Sequence, residues 1–222
     1  MPLAQAADFR SPQSLSRRLR QKRSAFFEQL IAPLVKPLRI LDVGGTEDYW
    51  QVLGFGERDD IWVTLLNVTD CSTSTPQFLS IAGDARDLSQ FKRREFDVVF
   101  SNSVIEHVGD FADQKRMADE VQRVGKRYFV QTPNRRFPIE PHFLFPFFQF
   151  LPEAVQIWLL GRFRLGTYDI VTNRDYAREL VREIRLLSLG EFSRLFPVAN
   201  IYRERLLGMT KSFVAYGGWE SI

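Results

Sequence analysis

The stretch Leu38-Arg39-Ile40-Leu41-Asp42-Val43-Gly44-Gly45-Thr46-Glu47-Asp48-Tyr49-Trp50 constrains the fold more than any other part of the chain. An apolar run with β-branched residues ends in an acid, then two glycines, then residues able to start a helix. That pattern predicts a buried strand, a tight turn and a helix N-terminus, the place where an open α/β sheet takes its ligand. The glycines let the backbone approach a ligand closely and adopt φ values that other residues resist. Thr46 suits the N-cap, and Glu47 and Asp48 suit the positive end of the first turn.

Charge then narrows the ligand. A dinucleotide turn wants three glycines in G-x-G-x-x-G, so that a pyrophosphate can sit on bare helix N–H groups. Here Thr46 stands at the second glycine position and two acids follow it. Carboxylates there would repel a pyrophosphate. They would favour a cofactor with a sulfonium, an ammonium and no phosphate, which describes S-adenosylmethionine.

Downstream segments give this turn company: Gly83-Asp84-Ala85, Phe96-Asp97-Val98-Val99-Phe100-Ser101-Asn102-Ser103, Val104-Ile105-Glu106-His107-Val108 and Gln131-Thr132-Pro133-Asn134. With Leu41-Asp42-Val43-Gly44-Gly45-Thr46 they resemble, in order, the class I S-adenosylmethionine-dependent methyltransferases of the type 11-like group. The departure is Thr46, where that family more often has glycine. The resemblance implies an α/β fold: a doubly wound, mostly parallel seven-stranded sheet with an antiparallel last strand and helices on both faces. It implies S-adenosylmethionine as cofactor, held by Asp42, Gly44, Gly45, Thr46, Asn67, Asp84, Ala85, Asn102 and Ser103. Asn67 ends strand two, where the ribose is expected and an acid is usual; Asp70 is the rival. Asp84 is expected against the adenine amino group, or as the cap of a helix starting near Arg86.

The remaining strands are expected at Ile61–Asn67, Phe78–Ala82, Phe96–Ser101, Arg127–Gln131, Ile201–Leu207 and Phe213–Tyr216. Ser188 to Glu191 is a capping box opening a short helix. Residues 1–36 hold a leading amphipathic helix, with Ser11-Pro12 as its start and Leu15, Leu19, Phe26 and Leu30 on one face. Its other face holds Arg17, Arg18, Arg20, Lys22 and Arg23, read as a solvated face or as a contact with a phosphate-bearing substrate or an anionic membrane. Residues 137–165 form an aromatic insert after strand five, where four prolines interrupt any long helix. It reads as a lid packed on the sheet, an apolar acceptor pocket or a lipid-touching patch.

The chain of 222 residues is expected to be one domain, and its 45% hydrophobic content excludes global disorder. A net charge of +3 names no nucleic-acid partner by itself, and the single Cys71 excludes an internal disulfide. With no secretion-signal pattern, the cytoplasm is the expected location.

Transfer of a reactive methyl group mainly needs alignment of a nucleophile, and a hydroxyl acceptor also benefits from a base. His107 and His142 are the only histidines and the candidates for that base. The segment around Glu106-His107 is similar to the metal-binding segment of ubiquinone-pathway O-methyltransferases and small-RNA 2′-O-methyltransferases. Those carry a further glutamate where this chain has Ser103, so Glu106, His107 and His142 would be an incomplete set and no metal is expected. The expected activity is methyl transfer to oxygen or nitrogen of a small-molecule, lipid-linked or glycan-linked acceptor. An RNA 2′-O-methyltransferase and a non-catalytic binding subunit are the alternatives.

Overall fold

A computed structural model describes residues 15–70 and 72–219, without side-chain detail for residues 15–19. The Ser11-Pro12 start, the side chains of Leu15, Arg17, Arg18 and Leu19, and Cys71 lie outside the described residues. The first helix, α1 (Leu15–Ile31), leads into β1 (Leu38–Val43), α2 (Glu47–Val52), β2 (Ile61–Asn67) and β3 (Phe78–Ala82). Then come β4 (Val98–Asn102), a short 3-10 turn (Ile105–His107), α3 (Phe111–Val124) and β5 (Tyr128–Pro133). A second 3-10 turn (Phe148–Phe150), α4 (Glu153–Leu160), α5 (Arg174–Glu183), α6 (Leu189–Leu195), β6 (Asn200–Leu206) and β7 (Met209–Gly217) complete the order.

The seven strands form one sheet in the order β3-β2-β1-β4-β5-β7-β6. Every neighbouring pair is parallel except those made by β7, which runs antiparallel to both β5 and β6. The strand order reverses at β1 and β4, so the crevice for a ligand lies beyond their carboxyl ends.

Alternation along the strands gives the sheet its two faces. Leu41, Val43, Val99 and Val130 pack with Met117, Val121 and Phe192 on one side. Leu38, Ile40, Phe100 and Phe129 pack with Phe27, Leu30 and Trp50 on the other. Helix α1 thus covers the second face, through a wider set than periodicity gave, because Phe27 and Ile31 are buried with Leu30.

Three expectations need correction. The insert is not a lid lying on the sheet: Phe143, Phe148, Leu160 and Leu165 close a separate small core with Ala177 of α5. Helix α5 itself escaped the sequence reading, because it buries only Ala177 and Leu180 among its charged residues; Asn173 caps it. No helix begins near Arg86, where the chain makes a turn closed by the Asp87 N–H on the Asp84 carbonyl. Strand boundaries also moved: β4 starts at Val98, since Phe96 makes only an isolated bridge to Gly125. No described helix is long and apolar enough to cross a membrane.

Candidate active site

The turn after β1 is built as the glycines require. Gly44 has φ +80° and donates its N–H to the Leu66 carbonyl at 2.8 Å. A Cβ there would lie 2.4 Å from a Val104 methyl, and one at Gly45 would overlap the Asp42 carboxylate. Thr46 caps α2 by accepting from the Tyr49 N–H. A cavity of about 330 Å³ opens over this turn, lined by Asp42, Gly44, Gly45, Thr46 and Asn102 together with Arg20, Asp48, Tyr49 and Phe100.

Asp42 is the buried centre of that cavity wall. One oxygen accepts from the Trp50 indole N–H at 2.6 Å, while Oδ1 has no hydrogen-bond partner. Burial pushes the carboxyl up to about 7, against the pull of the Trp50 hydrogen bond. An orphaned buried acceptor beside bare glycine backbone fits the ammonium end of an amino-acid tail. Glu47, by contrast, turns away. It binds Ser74, Thr75 and Gln51, whose hydrogen bonds outweigh its desolvation and hold it near 2.

Asn67, Asp84, Ala85 and Ser103 do not line this cavity. Asn67 donates one amide N–H to the Gly45 carbonyl at 2.9 Å, so it holds the turn. Asp84 is half-exposed and paired to Arg86 at 2.6 Å, a hydrogen bond that lowers its pKa. Ala85 packs at the edge of the first core. Ser103 has a left-handed backbone, φ +56°, fixed by hydrogen bonds from its N–H and hydroxyl to Gln131. Such strain in a non-glycine residue persists where surrounding contacts over-determine it.

Beyond β4 the two histidines meet. His107 Nε2 and His142 Nε2 lie 3.1 Å apart, with their rings near perpendicular. Behind them Glu140, 2% exposed, takes the His142 Nδ1 at 2.5 Å and the backbone N–H groups of His142 and Phe143. Burial pulls His142 down, but the Glu140 hydrogen bond and charge overcome it and leave the pKa raised. His107 has only the exposed Glu183 carboxylate, 3.9 Å from its Nδ1; burial, then the charge of His142, lowers it to about 4.

Glu106 stands next to this pair, fully buried. Thr132 donates to one oxygen at 3.0 Å, the other has no partner, and burial raises the carboxyl to about 7. Glu106, His107 and His142 offer ligand atoms within 4.8 Å of one another. The fourth position is Ser103, whose hydroxyl is engaged with Gln131.

Sequence reasoning missed Glu140, whose only signal was its place two residues before His142. It also put Arg23 on a face read as solvated or as a contact with a phosphate-bearing substrate or an anionic membrane, and did not foresee its burial. The guanidinium is 5% exposed, donates to the Asn102 side chain at 2.7 Å and pairs with Glu204 at 3.3 Å.

A family model described as a methyltransferase domain matches residues 60–128, under a third of the chain and downstream of the glycine turn. No curated protein matches the chain by sequence. Among solved structures it resembles an S-adenosylmethionine-dependent methyltransferase from Aquifex aeolicus, at 11% identity and TM-score 0.52, covering 97% of each chain. It resembles a protein of Anabaena variabilis named as a methyltransferase of an antibiotic biosynthesis pathway, at 18% identity and TM-score 0.50. There it covers 83% of this chain and 66% of that one, just under two thirds. A third is a Haloferax volcanii protein named as a methyltransferase, solved with the Trm112 methyltransferase activator. It is 12% identical, with TM-score 0.50 and 97% and 96% coverage. At such identities the likeness is one of fold. Sheet order and this shared architecture give the chain the fold of these methyltransferase structures, and its central segment resembles a methyltransferase domain.

Proposed function

We propose that the chain transfers a methyl group from S-adenosylmethionine to an oxygen or nitrogen of a small-molecule or lipid-linked acceptor. The observation that carries this reading is the Glu140–His142–His107 chain in the loops beyond β4 and β5, whose β4 end, Asn102, lines the glycine-turn cavity. The cofactor supplies an electrophilic methyl on a sulfonium. Asp42 and the turn would hold its amino-acid tail.

The histidines supply a place for the acceptor's proton. A carboxylate can only accept, so His142 Nδ1 carries a hydrogen toward Glu140. The facing Nε2 atoms then share one proton. With that proton on His107, its Nδ1, 3.9 Å from the exposed Glu183 carboxylate, is the base that can take a proton from an acceptor hydroxyl. The Nε2 proton passes to His142, and the positive charge rests beside Glu140. Such relay geometry is the general-base arrangement found where a histidine is oriented by a buried acid.

The aromatic insert supports an apolar or lipid-linked acceptor, since Phe147, Phe150, Trp158 and Phe163 are each about half exposed. The RNA alternative draws on the basic leading helix and on the Glu106-His107 and Thr132-Pro133-Asn134 segments; burial of Arg23 takes one cation from that helix face.

Calorimetry with S-adenosylhomocysteine tests the cofactor: binding by the native protein and none by Gly44→Val is expected, while preference for NAD would overturn the reading. Turnover with methyl-labelled cofactor and fractionated extract then separates an enzyme from a binding subunit. EDTA is expected to leave turnover unchanged; loss restored by Mg²⁺ would make Glu106, His107 and His142 a metal site instead.

A further inference from the structure

A buried chain of polar groups runs from the far edge of the sheet to the glycine-turn cavity. The Ser212 hydroxyl of β7 donates to Glu204 of β6, and Glu204 pairs with Arg23 of α1 at 3.3 Å. Arg23 then donates from Nη1 to the Asn102 side-chain oxygen at 2.7 Å, at the end of β4. Ser212, Glu204 and Arg23 are all buried. The Glu204 carboxylate matches the arginine charge, so what Arg23 delivers to Asn102 is direction and not spare charge.

Direction matters because the two ends of an amide differ. A guanidinium has donors and no acceptor, so only the oxygen of Asn102 can face it. The amide is thereby fixed with its N–H groups on the other side, and no described residue accepts from them. Asn102 lines the glycine-turn cavity, pairs in register with Gln131 of β5, and is followed by the 3-10 turn that holds His107. It therefore stands between the turn that would hold the cofactor tail and the loops that bring the histidines together.

We propose that Asn102, oriented by Arg23, is a hydrogen-bond donor to the acceptor and selects oxygen over nitrogen as the atom methylated. A hydroxyl oxygen has two lone pairs, one to attack the methyl carbon and one to accept from Asn102. A neutral amine has a single pair and spends it in the attack, so its N–H groups would meet those of Asn102. The new bond is C–O, the broken bond is C–S, and its electron pair stays on sulfur. As the hydroxyl proton leaves for the histidine pair, negative charge grows on the oxygen and the Asn102 hydrogen bond strengthens, as side-chain amides act in oxyanion holes. The acceptor assignment rests on the function proposed above; the orientation of Asn102 does not.

The test uses the full chain and its Asn102→Asp, Arg23→Met and Arg23→Lys variants. Asn102→Asp still accepts from Arg23 but offers no donor, so its melting temperature is expected to hold. With cofactor isotope-labelled in its methyl group and fractionated extract, the native protein is expected to give a product whose methyl carbon resonates as O-methyl. Asn102→Asp is expected to lower that turnover tenfold or more, while its calorimetric affinity for S-adenosylhomocysteine moves less than threefold. An N-methyl product or undiminished turnover in Asn102→Asp overturns the proposal. So does a tenfold loss of S-adenosylhomocysteine affinity, which would give the donors to the cofactor carboxylate. The amide orientation has its own readout in the NMR signals of the Asn102 side-chain N–H groups. These are expected to be sharp in the native protein, to shift and broaden in Arg23→Met, and to return in Arg23→Lys. Unaltered signals in Arg23→Met reduce Arg23 to packing, whatever its effect on stability. If the native protein binds no S-adenosylhomocysteine, the proposed function and the acceptor assignment fall together, while the side-chain signals still decide the orientation.

Discussion

Asp42 and Glu140 are both buried carboxylates, and their surroundings give them opposite tasks. Glu140 is satisfied on both oxygens by His142 and the Phe143 N–H. Its charge is what lets His142 receive a proton. Glu140→Gln is expected to lower kcat by about 10- to 100-fold, within the range of general-base contributions, with KM little changed. The pH-rate profile is expected to shift as His142 loses its anionic partner; a KM effect alone would mark a packing role instead. Asp42 holds its proton to about pH 7, with one oxygen free of hydrogen bonds. An ammonium beside it favours the carboxylate, so affinity for S-adenosylhomocysteine is expected to rise between pH 6 and 8. Calorimetry on Asp42→Asn checks this, since that variant is expected to bind weakly at both pH values.

At the scale of elements, α1 joins core and site in one helix. Phe27 touches the rings of Trp50, Phe55, Phe100 and Phe129. That aromatic contact fixes the turn of helix that delivers Arg20 and Arg23 to the cleft. Phe27→Ala is expected to cost about 3–5 kcal/mol in denaturant unfolding, as for large aromatic truncations in cores. Its periodic apolar face was readable in the sequence. The inward turn of Arg23 was not, because burial of an arginine depends on Asn102 and Glu204, 79 and 181 positions away. The insert shows the same limit: its aromatics and prolines were visible, but its partner is α5, a charged helix whose apolar side is the short set Ala177, Leu180 and Val181.

For the whole molecule, the raised carboxyls set a pH dependence. Unfolded carboxyls lose their protons near 4, whereas Asp42 and Glu106 keep theirs to about 7. Between those values the folded state binds more protons, so stability falls as pH rises through the window. His142, raised by Glu140, has the same sign above its unfolded value. His107, lowered to about 4, works the other way, losing stability as pH falls below 6.5. Glu47 and Glu191, near 2, matter only below the ordinary carboxylate range. The two carboxyls outweigh His107, and the urea midpoint is expected to be higher at pH 5.5 than at pH 8. Asp42→Asn is expected to flatten that difference and to be more stable than the native protein at pH 8.

The chain's local chemistry determined the strand–turn–helix, the acid at its centre, the cap at Thr46 and the capping box at Ser188, and with them the sheet's parallel core. These depend on neighbours a few residues apart, and backbone preferences act at that range. Tertiary packing alone decided that His107 and His142 meet, that Glu140 stands behind them and that Arg23 turns inward to Asn102 and Glu204. Those side chains are polar and non-periodic, and only the folded sheet brings their distant loops and helices to one edge.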